Sequence, residues 1–380
     1  MSNKIKNFRV LVTGGGSGGH IYPLAAVVSE IQTLSASQAF DLEVRYIGTC
    51  GEFKEYLEQN NIRVQKIVGS KLRRYFSPMN LIDGPKFAWS IFQALWKVYW
   101  YMPDVLFSKG GNGSLPVVLA SRFYRIPVVI HESDAVPGIN NRIASKFADV
   151  ITVSFGNAAG YFKGKELIHT GGPVRKYLLT DDTTQGRAKG YYGFDINEPL
   201  VLVLGGSQGA TQINDLVLDT IGDLLGFTQI LHQTGKKNHE GVMSELHVAL
   251  KDLPETYKER YKAIDYFEKD LRIALKAADL VISRAGSGFI FEIAAFGRPS
   301  ILIPLPKSAN NHQEANAIEY QKSGAAMIIE PDNLLPNLFT SNIQKLIQDR
   351  ATLDRMNKAA VGFYKPEAAS NLANIVLRYK

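Results

Sequence analysis

Two glycine-rich stretches carry the residues best suited to chemistry, Gly14-Gly15-Gly16-Ser17-Gly18-Gly19-His20 and Gly205-Gly206-Ser207-Gln208-Gly209-Ala210. A glycine turn that opens a helix lets backbone N–H groups approach a phosphate closely, and the helix dipole favours the negative charge. These loops therefore suit the binding of phosphate or diphosphate groups. Neither has the Gly-Lys-Ser/Thr of a P-loop, and the first lacks the acidic residue that a dinucleotide site places about twenty positions on. Packing alone accounts for a single tight turn more easily than for a matched pair.

Each stretch follows an apolar run and precedes a helical pattern. Val10-Leu11-Val12-Thr13 leads into the first, with a helix predicted from Pro23 to about Leu34; Leu200-Val201-Leu202-Val203-Leu204 leads into the second, with a helix from about Thr211. Further runs, Val105-Leu106-Phe107, Val128-Val129-Ile130, Leu280-Val281-Ile282 and Ile301-Leu302-Ile303, alternate with helical stretches, as in parallel α/β sheets. The strands of a first domain are complete by Ile168 and a second begins by Leu200. The reading is α/β, with two Rossmann-like, doubly wound domains at 1–170 and 171–365 joined near Gly171-Gly172. A last helix, about 366–380, is expected to pack back on either domain. Ligands of open α/β sheets sit at the carboxyl ends of the strands, so two such domains predict a central cleft with a glycine loop on each wall.

Composition agrees with this division. A chain of 380 residues with 45% hydrophobic content exceeds one ordinary core. Cys50 is the single cysteine, which excludes an intramolecular disulfide, and the start runs from a few polar residues straight into Phe8-Arg9-Val10-Leu11-Val12, too short for a signal segment. A cytoplasmic protein is expected. The net charge of +7 favours anionic partners. Nucleic acid is disfavoured, because the basic residues are scattered and no zinc-finger spacing or RNP-like aromatic motif occurs.

Five motifs, in order along the whole chain, resemble the MurG family: Gly15-Gly16-Ser17-Gly18-Gly19-His20, His131-Glu132-Ser133-Asp134-Ala135-Val136-Pro137-Gly138, Gly172-Pro173-Val174-Arg175, Gly205-Gly206-Ser207-Gln208-Gly209-Ala210, and Arg284-Ala285-Gly286 with Glu292. The resemblance implies a GT-B fold and transfer of N-acetylglucosamine from UDP-N-acetylglucosamine to undecaprenyl-pyrophosphoryl-N-acetylmuramyl-pentapeptide (lipid I), forming lipid II in peptidoglycan synthesis. It assigns the acceptor and the membrane to the N-terminal domain and the UDP-sugar to the C-terminal one. Ser207, Gln208 and Gly209 are then expected near the diphosphate, with Ser17, Gly18, Gly19 and Asp134 expected to complete the UDP-N-acetylglucosamine site from the opposite wall. Glu292 accepts from the ribose hydroxyls, Ser287 and Gly288 offer backbone donors at a helix start, Gln313 reads the sugar hydroxyls, and Glu268 lies beside the uracil. Arg175 is expected to stabilise the departing diphosphate, and His20 or Asp134 to act as the general base. His312 is expected either beside the sugar or as a helix-capping surface residue.

Two positions depart from the family, which usually has asparagine at Asp134 and a small hydroxyl residue at Phe289. Both changes are expected at the cleft, where an acid repels a nearby diphosphate and a phenyl ring adds bulk. The expected mechanism is a single inverting displacement giving a β-linked product. No protein-bound metal or other cofactor is expected, since there is no Asp-x-Asp motif, although free Mg²⁺ remains open. Three other readings stay open at this point: a related lipid glycosyltransferase acting on diacylglycerol, a UDP-N-acetylglucosamine epimerase of similar fold, and an inactive nucleotide-sugar-binding protein.

From Lys86 to Met102 three stripes run at helical spacing. Phe87, Ile91, Leu95, Val98 and Met102 make one apolar stripe; Trp89, Phe92, Trp96 and Trp100 make a second; Lys86, Ser90, Gln93 and Lys97 make the third. One apolar stripe suffices to pack on a domain. The aromatic one, with Lys71, Arg73 and Arg74 shortly before it, suits the interface of an anionic membrane, where the resemblance also places docking. Lys97 and the Pro103-Asp104 stop are incompatible with a span, so peripheral attachment at the cytoplasmic face of the cell membrane is expected, with a buried helix between layers as the alternative.

Overall fold

Short runs rich in Val, Ile and Leu form the central strands, which are buried on both faces because helices cover both sides of a parallel sheet, while the edge strands Arg63–Lys66 and Glu166–His169 are partly exposed. The structure, a computed structural model, describes residues 7–69, 80–180, 182–205, 210–306 and 308–380. The chain divides into two compact units, 1–176 with 365–380, and 177–364. The join thus follows Arg175 and Lys176, where the sequence reading had placed both residues in the second domain.

The first unit holds seven parallel strands: β1 (Phe8–Thr13), β2 (Leu42–Gly48), β3 (Arg63–Lys66), β4 (Val105–Ser108), β5 (Val128–Glu132), β6 (Val150–Val153) and β7 (Glu166–His169). Their order is β3-β2-β1-β4-β5-β6-β7. The second holds six, β8 (Leu200–Leu204), β9 (Gln229–Gln233), β10 (Tyr261–Ile264), β11 (Leu280–Ser283), β12 (Ser300–Leu302) and β13 (Ala326–Ile328), in the order β10-β9-β8-β11-β12-β13. Both sheets are doubly wound. The chain runs outward from β1 on one side and from β4 on the other, and likewise from β8 and β11, so each sheet has one topological switch point.

The helix after β1 spans Gly18–Ser37, five residues earlier than the position of Pro23 suggests. Pro23 is an inner residue of this helix, past its first turn; the helix gives up only the bond its N–H would have made to Gly19 O, and the glycine loop's second half is already helical. The helix Ala368–Leu377 packs on Gly18–Ser37, with Leu372, Ala373, Ile375 and Val376 in the core formed by β1, β2 and β4. Gly171 sits at φ +80, where a Cβ would meet that of Lys365 at 2.9 Å, and Lys365 Nζ donates to the carbonyl of His169 at 3.2 Å. The returning segment is thereby anchored beside the last strand of the first unit.

Candidate active site

At the switch point of the first unit, the loops leaving β1 and β4 touch. Gly111 has φ +84, and a Cβ there would lie 2.8 Å from Cα of Gly15 and 2.9 Å from Nε2 of His20. Gly16 is equally confined, with Thr49 O and Gly51 N at 2.9 and 2.8 Å from its would-be Cβ. Glycine is required here because two backbones share the space that side chains would fill. Tyr46, fully buried, donates from its hydroxyl to Gly14 O at 2.7 Å, and Thr49 Oγ1 donates to Asn112 O at 2.6 Å. Ser17 is the N-cap residue, yet its Oγ turns to Nδ1 of His20 at 2.8 Å rather than capping the helix. Ser17, Gly18, Gly19 and His20 are therefore together at the positive end of a twenty-residue helix.

The next loop, after β5, is organised by a carboxylate. Glu132, 4% exposed, accepts from Asp134 N–H at 3.0 Å, Asn141 Nδ2 at 2.9 Å and Gly138 N–H at 3.3 Å. Asp134 is half-buried beside it. His131 is fully buried between Thr152 Oγ1 at 2.9 Å and Ser154 Oγ at 3.0 Å; burial and the neighbouring Lys109 push its pKa well down and keep it neutral. Lys109 follows β4 directly and is 1% exposed. Arg175 is buried in this same unit, its guanidinium carbon 4.2 Å from the centre of the Tyr22 ring.

In the second unit the loop after β8 lies partly outside the described residues, and with it Ser207, Gln208 and Gly209; Lys71, Arg73 and Arg74 also lie outside them. The loop after β11 is described. Gly286 caps the helix Ser287–Ala295, which starts with Ser287 and Gly288, and Glu292 on its second turn is buried at 7% exposure. A solvated surface carboxylate is thus excluded. Phe289 is half-buried on the same helix. Arg284 donates from Nη1 to Pro304 O at 3.1 Å and from Nη2 to Gln212 Oε1 at 3.2 Å, tying β11 to the ends of its neighbours on both sides of the switch point. Asn316 Nδ2 donates to Ala285 O at 3.2 Å.

Gln313 lies in the first turn of the helix His312–Lys322, preceded by Asn310 and Asn311, both left-handed at φ 58 and 52. Its Oε1 accepts from Leu305 N–H at 2.9 Å. His312 is half-buried at the start of that helix. Glu268 is exposed, 3.7 Å from Lys236 Nζ, while the preceding Phe267 is buried and donates its N–H to Gln233 Oε1 at 3.0 Å. Among the described residues no group of three or more His, Cys, Asp or Glu is placed to hold a metal ion.

The helix Asn80–Tyr101 turns Ser90, Ala94, Val98 and Tyr101 inward. Ser90 was read on the polar stripe, but its hydroxyl closes onto Phe87 O at 2.7 Å, which makes burial tolerable, and Met102 was read on the packing stripe but is 40% exposed. Trp89, Phe92, Trp96 and Trp100 are each more than half exposed, as are Tyr99 and, on the neighbouring helix Ser114–Phe123, Phe123. Tyr99 and Phe123 both meet the ring of Tyr124 and extend the aromatic face beyond the predicted stripe. Among the described residues no helix is long and apolar enough to cross a membrane.

The sequence pattern of the glycosyltransferase family 28 N-terminal domain matches residues 10–153, and that of the family 28 C-terminal domain matches 200–372. Together with the two doubly wound sheets, these matches place the protein among the GT-B-like glycosyltransferases. A Clostridium kluyveri protein named UDP-N-acetylglucosamine–N-acetylmuramyl-(pentapeptide) pyrophosphoryl-undecaprenol N-acetylglucosamine transferase is 35% identical over 375 residues, 98% of this chain and 99% of the relative. A Clostridium perfringens protein of the same name is also 35% identical, over 98% of each chain. The crystal structure of Acinetobacter baumannii MurG superposes with a TM-score of 0.74 at 25% identity, covering 98% of this chain and 99% of that one. The chain belongs to the MurG family. A Neisseria meningitidis UDP-GlcNAc 2-epimerase shares the fold, with a TM-score of 0.68 over 98% of this chain and all of that one, at 14% identity.

Proposed function

We propose that this chain transfers N-acetylglucosamine from UDP-N-acetylglucosamine to undecaprenyl-pyrophosphoryl-N-acetylmuramyl-pentapeptide, forming lipid II, by one inverting displacement. The observation that carries the reading is full-length relatedness, at 35% identity over 98% of the chain, to proteins named for that reaction. The epimerase likeness is one of fold alone, and it does not favour that alternative.

The muramyl hydroxyl attacks the anomeric carbon, the bond from that carbon to the diphosphate oxygen breaks, and UDP departs. We assign the hydroxyl proton to His20, whose Nδ1 is held by Ser17 and whose ring sits at the start of the helix Gly18–Ser37. The acceptor diphosphate is taken by the loops of the first unit, with Gly18 and Gly19 presenting backbone donors. Asp134 borders this acceptor site on the β5 loop.

The donor belongs to the second unit. Glu292 is a buried carboxylate suited to two vicinal ribose hydroxyls, and Ser287 and Gly288 offer the donors of a helix start. Gln313 Oε1 accepts from Leu305, which orients the amide and leaves its two Nε2 N–H donors, with the second lone pair of Oε1, for sugar hydroxyls. Ser207, Gln208, Gly209, Phe289, Glu268 and Arg175 keep the donor-side roles implied by the resemblance. In Arg175 the stacked guanidinium is planar and pre-organised for a phosphate.

The aromatic face of Trp89, Phe92, Trp96 and Trp100 docks on an anionic membrane at its cytoplasmic side. Large apolar rings more than half exposed on one helix are otherwise an unfavourable surface. In the same unit Arg142, Lys146, Lys163 and Lys165 line a cavity of about 560 Å³ with Ile139 and Tyr161, which adds positive charge for acidic headgroups.

The deciding measurement is transfer of labelled sugar from UDP-N-acetylglucosamine to purified lipid I, with UDP-glucose and diacylglycerol in parallel. A disaccharide-lipid product is expected. Sugar moved only to diacylglycerol, or UDP bound without turnover on either acceptor, would refute it.

A further inference from the structure

Lys109 is a buried cation that the reaction scheme above does not use. It is 1% exposed, and its Nζ has no hydrogen-bond partner. An ammonium in that state is costly, and a methionine of similar length fills the same volume without desolvating a charge. Burial pushes the pKa of Lys109 down to about 8, and the nearby carboxyl groups of Glu132 and Asp134 oppose it by favouring the charged form. On β5, which pairs with β4 beside Lys109, His131 is neutral between Thr152 and Ser154. Asn141, from the next helix, turns Nδ2 to Glu132 and leaves Oδ1 buried without a partner.

The same lysine stands at the head of Lys109-Gly110-Gly111, the loop that meets Gly15 and His20. Two carboxylates therefore border the loops to which a diphosphate acceptor has been assigned. Burial pushes the pKa of Glu132 up to about 7, so Asp134 is the main charge there; uncompensated, it repels a nearby polyanion with little screening by salt at a partly buried site.

We propose that Lys109 is a positioning residue for the transfer reaction, its buried ammonium serving as the counter-charge that lets Asp134 stand beside an anionic acceptor. Lys109 and Asp134 then function as a pair that a neutral pair can replace. The inference rests on the reading that the acceptor diphosphate is held by the first unit.

The test is a cycle in the full-length chain: wild type, Lys109→Met, Asp134→Asn and the double variant. Each is assayed for kcat and acceptor KM on lipid I, for UDP-N-acetylglucosamine affinity by calorimetry, and for thermal unfolding. Lys109→Met is expected to lower kcat/KM for the acceptor by about thirtyfold or more, leaving donor affinity and unfolding temperature unchanged or the latter raised. Adding Asp134→Asn to Lys109→Met is expected to restore about tenfold of that loss. A merely structural lysine does not produce recovery on removal of a second polar group. Should Lys109→Met fail to fold, Lys109→Gln with and without Asp134→Asn reads the same coupling. The proposal is overturned if the single lysine variant stays within threefold of wild type, or if the double variant is no better than Lys109→Met. A wild-type chain that moves no sugar to lipid I refutes the acceptor reading itself, and this inference with it.

Discussion

Replacing Gly111 by alanine tests whether the contact between the two loops of the first unit positions the acceptor chemistry. At φ +84 an L-residue is strained by about 1–2 kcal/mol. The new methyl would stand 2.8 Å from Gly15 Cα and 2.9 Å from His20 Nε2, against an ordinary carbon contact of about 3.5 Å. The β1 loop must retreat by roughly 0.7 Å, and overpacking of this kind costs about 1–3 kcal/mol. The total, about 2–5 kcal/mol, is tolerable for a domain holding about 5–15 kcal/mol, so the variant is expected to fold with a lowered unfolding temperature. His20 and the start of the helix Gly18–Ser37 move with the loop, and a displacement near 1 Å at the chemistry costs about a hundredfold in rate. The assay is transfer to lipid I under saturating donor, with UDP affinity measured separately. We expect kcat down about a hundredfold and UDP affinity little changed, because the donor residues other than Arg175 belong to the other unit. Gly160→Ala, whose Cβ meets nothing within 4 Å, is the control and is expected to be silent. A Gly111→Ala enzyme within threefold of wild type would show that the loop contact does not position the reaction.

Glu292→Gln keeps the size of a side chain only 7% exposed but removes its charge; losing charged hydrogen bonds worth about 1.5–3 kcal/mol should weaken UDP binding about ten- to a hundredfold, and unchanged affinity by calorimetry refutes the ribose role. Trp96→Ser with Trp100→Ser, at sites 59% and 66% exposed, is expected to abolish sedimentation with anionic liposomes while the unfolding temperature is kept; undiminished sedimentation sinks the docking face. His232 is fully buried between Tyr261 OH at 2.8 Å and Asn214 Oδ1 at 3.0 Å, and burial depresses its pKa from 6.5 to about 3. A depressed folded pKa means that its stability contribution is complete above pH 6.5 and is lost as pH falls through that value towards 3. Removing the titration with His232→Gln should therefore flatten the acid limb of the second unit by up to about 1.4 kcal/mol per pH unit, read as thermal unfolding between those limits; an unaltered slope excludes the histidine as its source.

Much of this molecule is legible along the chain because its signals are local. Apolar runs followed by glycine and a helical period mark β1, β8 and the helices after them, and parallel strands buried on both faces need no partner to be recognised. The aromatic stripe of Trp89, Phe92, Trp96 and Trp100 is likewise a matter of period, although Tyr99 and Phe123 join it only because two helices meet at Tyr124. Local reading placed the start of the first helix at Pro23, because the apolar period begins there, whereas the helix already starts at Gly18 after Ser17.

The remaining features depend on contacts across the sheet. Lys109-Gly110-Gly111 follows a strand as plainly as the other glycine loops do, but its importance arises from the β1–β4 switch, which brings Gly111 against Gly15 and His20 across more than ninety positions. The partners of Glu132 sit within nine residues, yet the cation facing them comes from the neighbouring strand, twenty-three positions earlier. Arg175 joined the first unit for a similar reason, since Tyr22 lies under its guanidinium. The residue types and the period of burial along the sequence determined what the strands, helices and phosphate-binding turns would be. Which of them share a site was decided by strand order, because electrostatics and close packing act through space at a few ångströms and leave no periodic trace in the chain.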